Sequence, residues 1–214
     1  MCYIYITHIM ISYYRLGDLV LLSLTREEEV KLLTHHPNTI GSRYILSRPS
    51  GIMNKIDKIQ LITRLVLEYS EANRHLIPGD IMNSVVIHLR LGDVVAGTTE
   101  HESGKRPHPI AYLQAQLKGC DSDEIVKRYL IGVCFFAETS STNVEECQNK
   151  SNLYLNAVLN ETRAEHLNSG VADIDLCIGV LAKQFIQGKG YFSQLIVDIR
   201  KQLNLPSIEC KTEN

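Results

Sequence analysis

Apolar and polar positions along the chain follow two rhythms, one of period two or continuous, the other of period 3.6. The plainest stretch is Val85-Val86-Ile87-His88-Leu89-Arg90-Leu91, bounded by Asn83-Ser84 before and Gly92-Asp93 after. An apolar, β-branched-rich run of that length predicts a buried strand of an α/β sheet. Tyr129 to Phe136 is a second such strand, and Gln184-Phe185-Ile186 a short third. Ile56, Ile59, Leu61, Ile62, Leu65, Val66 and Leu67 recur at helical spacing and predict an amphipathic helix from Lys55 to His75. Thr25-x-x-Glu28 is a capping box that opens a helix through Leu33, and Thr142-x-x-Glu145 opens a long one ending near Leu167 to Gly170. Residues 1–14 suit a strand or a frayed hydrophobic start, and Arg43 to Leu46 a short strand before the Pro49-Ser50-Gly51 break. Pro109 starts a helix that runs to Lys118, with Gly119 as its cap. Asp173 leads a helix through Ala182, and Gly188-Lys189-Gly190 is a tight loop before a helix from Phe192-Ser193 to Leu203. Strands alternating with helices from residue 84 onward imply a parallel, Rossmann-like sheet. The chain divides into a short amino-terminal region, 1–80, and an α/β domain, 81–214.

Composition narrows the function classes. The 214 residues are 44% hydrophobic and 21% charged, with a net charge of −2, the balance of a soluble globular protein. Nothing in that balance provides a broad electrostatic footprint for nucleic acid. The six cysteines show no CxxC or Cys/His spacing, so no metal site is expected, and Cys134 and Cys177 read as small core residues. Two sequons, at Asn149 and Asn160, fall within a predicted helix. Met1 to Leu24 is apolar but interrupted by His8, Arg15 and Asp18, so neither a signal peptide nor a membrane span is expected. The compartment stays open.

Two stretches carry candidate chemistry. His88 and Arg90 alternate onto one face of the central strand, with Asp93 in the loop beyond. Open α/β sheets bind ligands at that carboxyl end, and the guanidinium fork matches phosphate. The bland alternative is an Arg paired with a nearby carboxylate. In the second stretch, Gly188, Gly190 and Ser193 join a glycine loop to a helix start, where backbone N–H groups face anions. Ser193 as an ordinary cap is the alternative there.

His88-x-Arg90-x-Gly92-Asp93 resembles the nucleotide-sugar motif of the GDP-fucose-dependent fucosyltransferases. Gly97-Thr98-Thr99-Glu100 and His108-Pro109-Ile110-Ala111-Tyr112 echo the core α-1,6-fucosyltransferases and their nodulation relatives. Leu91 stands where many members carry a second Arg, although protein O-fucosyltransferases have a single Arg in a similar context. Over the last two-thirds of the chain, the resemblance implies the donor-binding half of a GT-B glycosyltransferase. It implies an inverting, metal-independent transfer of fucose from GDP-fucose to a carbohydrate or glycoprotein hydroxyl, with no cofactor. Arg90 and Ser193 would hold the diphosphate, and His88 would lie near the base and ribose. Gly190 and Phe192 belong to the same donor site. Asp175 would read guanine, with Asp173 the alternative, and either is equally a carboxylate favoured by a helix dipole. Glu100 would be the general base, with His101 and Glu102 as competitors. With only about 80 residues before the motif, the alternative function is a non-catalytic GDP or sugar-nucleotide binding module, or a fragment of such an enzyme. A generic α/β interaction protein ranks third.

Overall fold

The computed structural model describes residues 16–92, 95, 107–120, 127–132, 134–135, 144–167 and 169–209. Residues 1–14, expected as a strand or a frayed hydrophobic start, lie outside the described residues, as does Thr142. From residue 16 to 83 the chain is helical. A first helix, α1, occupies residues 16–21, and α2 spans Arg26–His35. The expected capping box is complete: Glu28 N–H donates to Thr25 Oγ1 at 3.3 Å, and Thr25 N–H to the Glu28 carboxylate at 2.9 Å. Arg48 grips the buried Glu29 with both guanidinium nitrogens at 2.6 Å, tying the end of the next helix back to α2.

The strand expected at Arg43 to Leu46 is instead part of α3, Ile40–Ser47. Thr39 caps its start, and Ile40 and Tyr44 bury one helical face. A carboxylate 133 residues away, Asp173, accepts the Ile40 N–H at 2.9 Å and stabilises the helix end. α4, Lys55–Ala72, is capped by Asn54 and stops three residues short of the expected His75, where Arg74–Leu76 tightens into a 3-10 turn.

The sheet has five strands, all parallel: β1 (Ser84–His88), β3 (Lys127–Ile131), β5 (Glu165–His166), β6 (Gln184–Ile186) and β7 (Ser207–Ile208). Their spatial order is β5-β3-β1-β6-β7. The chain therefore builds outward from β1 in one direction, returns, and continues from β6 in the other. β1 and β6 flank the point where the order reverses. This is an α/β architecture consistent with a Rossmann-like fold.

The expected central strand is interrupted. After β1, Leu89 N–H still donates to Ile131 at 2.9 Å, but pairing resumes only in a small second sheet of β2 (Leu91–Gly92) and β4 (Cys134–Phe135). Gly132, at φ +146°, makes the same step opposite, where any Cβ would collide with the Leu89 carbonyl. The predicted strand 129–136 is split there.

Burial alternates as a two-faced sheet requires. Val85 and Ile87 pack with Leu113 and Leu117 of α5 (Ile110–Cys120) and Val158 of α6 (Val144–Thr162). Val86 and Phe185 face the other side, against α4, α7 (Ala172–Leu181) and α8 (Tyr191–Gln202). Leu16, Leu19, Ile40 and Tyr44 belong to that same core, so the amino-terminal helices cover one face of the sheet. Gly119 is inside α5 rather than capping it. α6 ends at Thr162, well before the expected stop, because Arg163 turns at φ +54° and the chain enters β5. Both sequons lie in α6, with Ser151 and Thr162 buried; Ser151 Oγ accepts the Gly92 N–H at 2.8 Å and holds β2. Cys177 is a core residue, as its surroundings predict.

Candidate functional site

The sheet's carboxyl edge at the β1–β6 reversal gathers most of the described candidate residues. β1 ends in His88, and the chain leaves the sheet through Arg90. β6 ends at Ile186 and passes through Gln187-Gly188-Lys189-Gly190 into α8. The two segments touch. A Cβ on Gly188 would overlap His88 Nδ1 and the His88 carbonyl, while one on Gly190 would stand 3.2 Å from Arg90 Nη1. Both glycines thus permit an approach that a side chain would block. Gly190 also sits at φ +102° and caps α8 without a side-chain hydrogen bond. The positive end of the α8 dipole opens beside the Arg90 guanidinium.

His88 is 5% exposed, and its ring lies 5.6 Å from that of Phe192. Burial, then the charge of Arg90 and the proximity of His108, pulls its pKa down to about 3. The imidazole is therefore neutral near pH 7. Its Nδ1 has no hydrogen-bond partner among the described residues. An unmet buried ring nitrogen carries a cost that a ligand atom would relieve.

Ser193 is fully buried, and its Oγ accepts the Gly188 N–H at 2.9 Å. The hydroxyl oxygen holds the glycine loop from beneath, a structural use beside the phosphate contact that the resemblance implies. Phe192 is buried against His88. Asp93 and Glu100, with the competitors His101 and Glu102, lie outside the described residues.

Asp173 and Asp175 stand at the start of α7, which follows β5 and leads back to β6. That puts them on the carboxyl edge too. Both are nearly inaccessible, at 4% and 1% exposed. Asp173 is committed to Ile40 N–H, and Asp175 Oδ1 accepts from Ser169 Oγ at 2.6 Å. Burial pushes the Asp173 carboxyl up to about 6, and raises Asp175 well above the ordinary carboxylate range.

A stability prediction follows from Asp173. The folded chain holds this proton more tightly than the unfolded chain, so the Asp173 contribution to stability falls as pH rises from about 4 to about 6 and is lost above. A shift of about two pH units corresponds to roughly 3 kcal/mol. Asp173→Asn keeps an acceptor for Ile40 and removes the ionisation. Urea unfolding across this range should show the variant with a flatter profile and greater stability near pH 7; an unchanged slope would contradict the assignment.

His108 also belongs to this site, although the sequence reading did not select it as a site residue. It is buried, stacks on Tyr112 with ring centroids 4.5 Å apart, and its carbonyl accepts from Tyr154 at 2.6 Å. Its imidazole hydrogen-bonds the Gln187 backbone, while burial and the nearby Lys189 charge lower its pKa. The available signal was the Pro107-His108-Pro109 bracket, which fixes the backbone on both sides of the ring.

Chemically, the edge offers a guanidinium, an ammonium, a helix amino terminus and glycine backbone at close range. Two imidazoles beside them are biased toward the neutral form. That set suits an anionic, phosphate-bearing ligand. No protein-family model matches the chain, and no curated protein matches it.

Proposed function

We propose that this chain is a GDP-fucose-dependent glycosyltransferase that transfers fucose with inversion, and without a metal, to a glycan or protein hydroxyl. The single observation that carries this reading is the packing of His88 and Arg90 against the Gly188 to Gly190 turn where the strand order reverses. Arg90 is suited to stabilise the departing diphosphate as its charge grows in the transition state. The reaction also calls for a base to take the acceptor proton, the role proposed for Glu100. Asp175, or Asp173, is proposed to exchange its present partner, Ser169 Oγ or Ile40 N–H, for the guanine edge, which presents two N–H donors that adenine lacks.

A second reading, a GDP or sugar-nucleotide binding module without turnover, has its own support. The described residues 16–83 form helices over the sheet and no second sheet to hold an acceptor. Fucose transfer separates the two.

The donor reading is tested by calorimetry in buffer free of divalent metal. GDP and GDP-fucose should bind in the micromolar range, and ADP at least about ten-fold more weakly. Equal affinity for GDP and ADP would remove the guanine role of the α7 carboxylates. An absence of GDP binding would overturn the reading.

A further inference from the structure

Between β1 and β2 the chain changes sheet, and Arg90 lies in the link. On the near side, Leu89 N–H donates to Ile131 at 2.9 Å, and Gly132 gives the Leu89 carbonyl room that a Cβ would fill. On the far side, Gly92 stands at φ +88° and its N–H donates to Ser151 Oγ at 2.8 Å. Leu91, 1% exposed, packs in the apolar core between these two holds. Of residues 89–92 Arg90 alone is half-buried, with its guanidinium beside Gly190. A link this short, fastened at both ends, has few free dihedrals, so the place of the guanidinium depends on both fastenings.

The far fastening is a side chain from another element. Ser151 lies within α6, 59 residues beyond Gly92, and is fully buried. A helical hydroxyl can serve its own helix by bonding a carbonyl one turn back, and Thr162 of α6 does so, donating to Val158 at 2.6 Å. Ser151 instead accepts from the strand that follows the arginine. Both are the hydroxyl positions of sequons, and the motif does not distinguish them; their contacts do. Resting on the donor reading above, we infer that Ser151 is a positioning residue: through Gly92 it sets where the Arg90 guanidinium meets the diphosphate. A displacement at Gly92 reaches Arg90 because Leu91, packed between them, does not absorb it.

The test is calorimetric titration of GDP into wild type, Ser151→Ala, Thr162→Val, Arg90→Ala and the Ser151→Ala/Arg90→Ala double variant. Ser151→Ala should weaken GDP about ten-fold, the loss of one charge-assisted bond, and Thr162→Val less than about two-fold. In the Arg90→Ala background Ser151→Ala should cost less than about two-fold, because the side chain it positions is gone. Ser151→Cys, whose sulfur is a weak acceptor, should fall between serine and alanine, and it replaces alanine in the cycle if that variant does not fold. Unchanged GDP affinity in Ser151→Ala, or a loss of the same size that persists without Arg90, would overturn the inference and leave the donor reading standing. A wild type that does not bind GDP would overturn the donor reading, and the inference with it.

Discussion

Replacing Arg200 by methionine should cost most of the chain's stability and leave little soluble protein. Arg200 is the largest fully buried side chain of the described residues, at 0% exposure. Its guanidinium donates to Gly179, Val180 and Ala182 carbonyls at 3.1, 2.8 and 2.7 Å, and to Lys183 at 3.2 Å. It also reaches the Pro206 carbonyl and, at 3.0 Å, Ser207 Oγ. These acceptors are carbonyls and a hydroxyl, not carboxylates. Gly179 and Val180 belong to the last turn of α7 and Ala182 is its C-cap; carbonyls there lack helical partners and the dipole is negative. One side chain thus closes α7, starts β6 and fastens β7.

Burial lowers the Arg200 pKa to about 10, which still leaves it charged near pH 7. Methionine fills much of the stem's volume but leaves the carbonyls without donors. Leaving a buried acceptor without its donor costs about 1–3 kcal/mol, so orphaning several carbonyls removes a large part of a total near 5–15 kcal/mol. Arg200→Lys should recover part of the loss, since an ammonium has three donors and no planar fork. Urea midpoints measure both. A methionine variant as stable as wild type would show that the carbonyl cage carries no net stability.

Arg200 illustrates what the chain does not disclose locally. In sequence it is one more polar position near the end of an amphipathic helix. Only the return of β7 and the end of α7 make it a buried hub. Asp173 is similar, since its partner Ile40 lies 133 residues away at the start of α3. The edge strands β5 and β7 were illegible because two polar or half-buried residues form no apolar run. β1, β3 and β6 were legible for the opposite reason: each is apolar on the faces it buries. His88, Arg90, Gly190 and Ser193 were legible because each sits at the end of a readable strand or the start of a readable helix. His108 joins them through contacts with Gln187, Tyr112 and Tyr154, which spacing alone does not reveal.

The second large effect concerns Arg90, and here the fold should survive. Arg90 is half-buried beyond the last paired residue of β1, with its guanidinium beside Gly190. Lysine keeps the charge but loses the planar two-point grip on phosphate oxygens. A charge-assisted bond is worth about 1.5–3 kcal/mol, so Arg90→Lys should weaken GDP about ten-fold or more. Alanine removes the charge as well and should cost more. Leu91 cannot compensate from within the apolar core.

Calorimetric titration of GDP into folded Arg90→Ala, beside wild type, therefore tests the central claim most directly. The account predicts micromolar binding to wild type, at least about a hundred-fold weaker binding to the variant, and matching melting curves. A folded Arg90→Ala that binds GDP as wild type does would contradict the placement of a sugar-nucleotide diphosphate at this strand end. A variant that no longer folds would show Arg90 to be a structural cation instead.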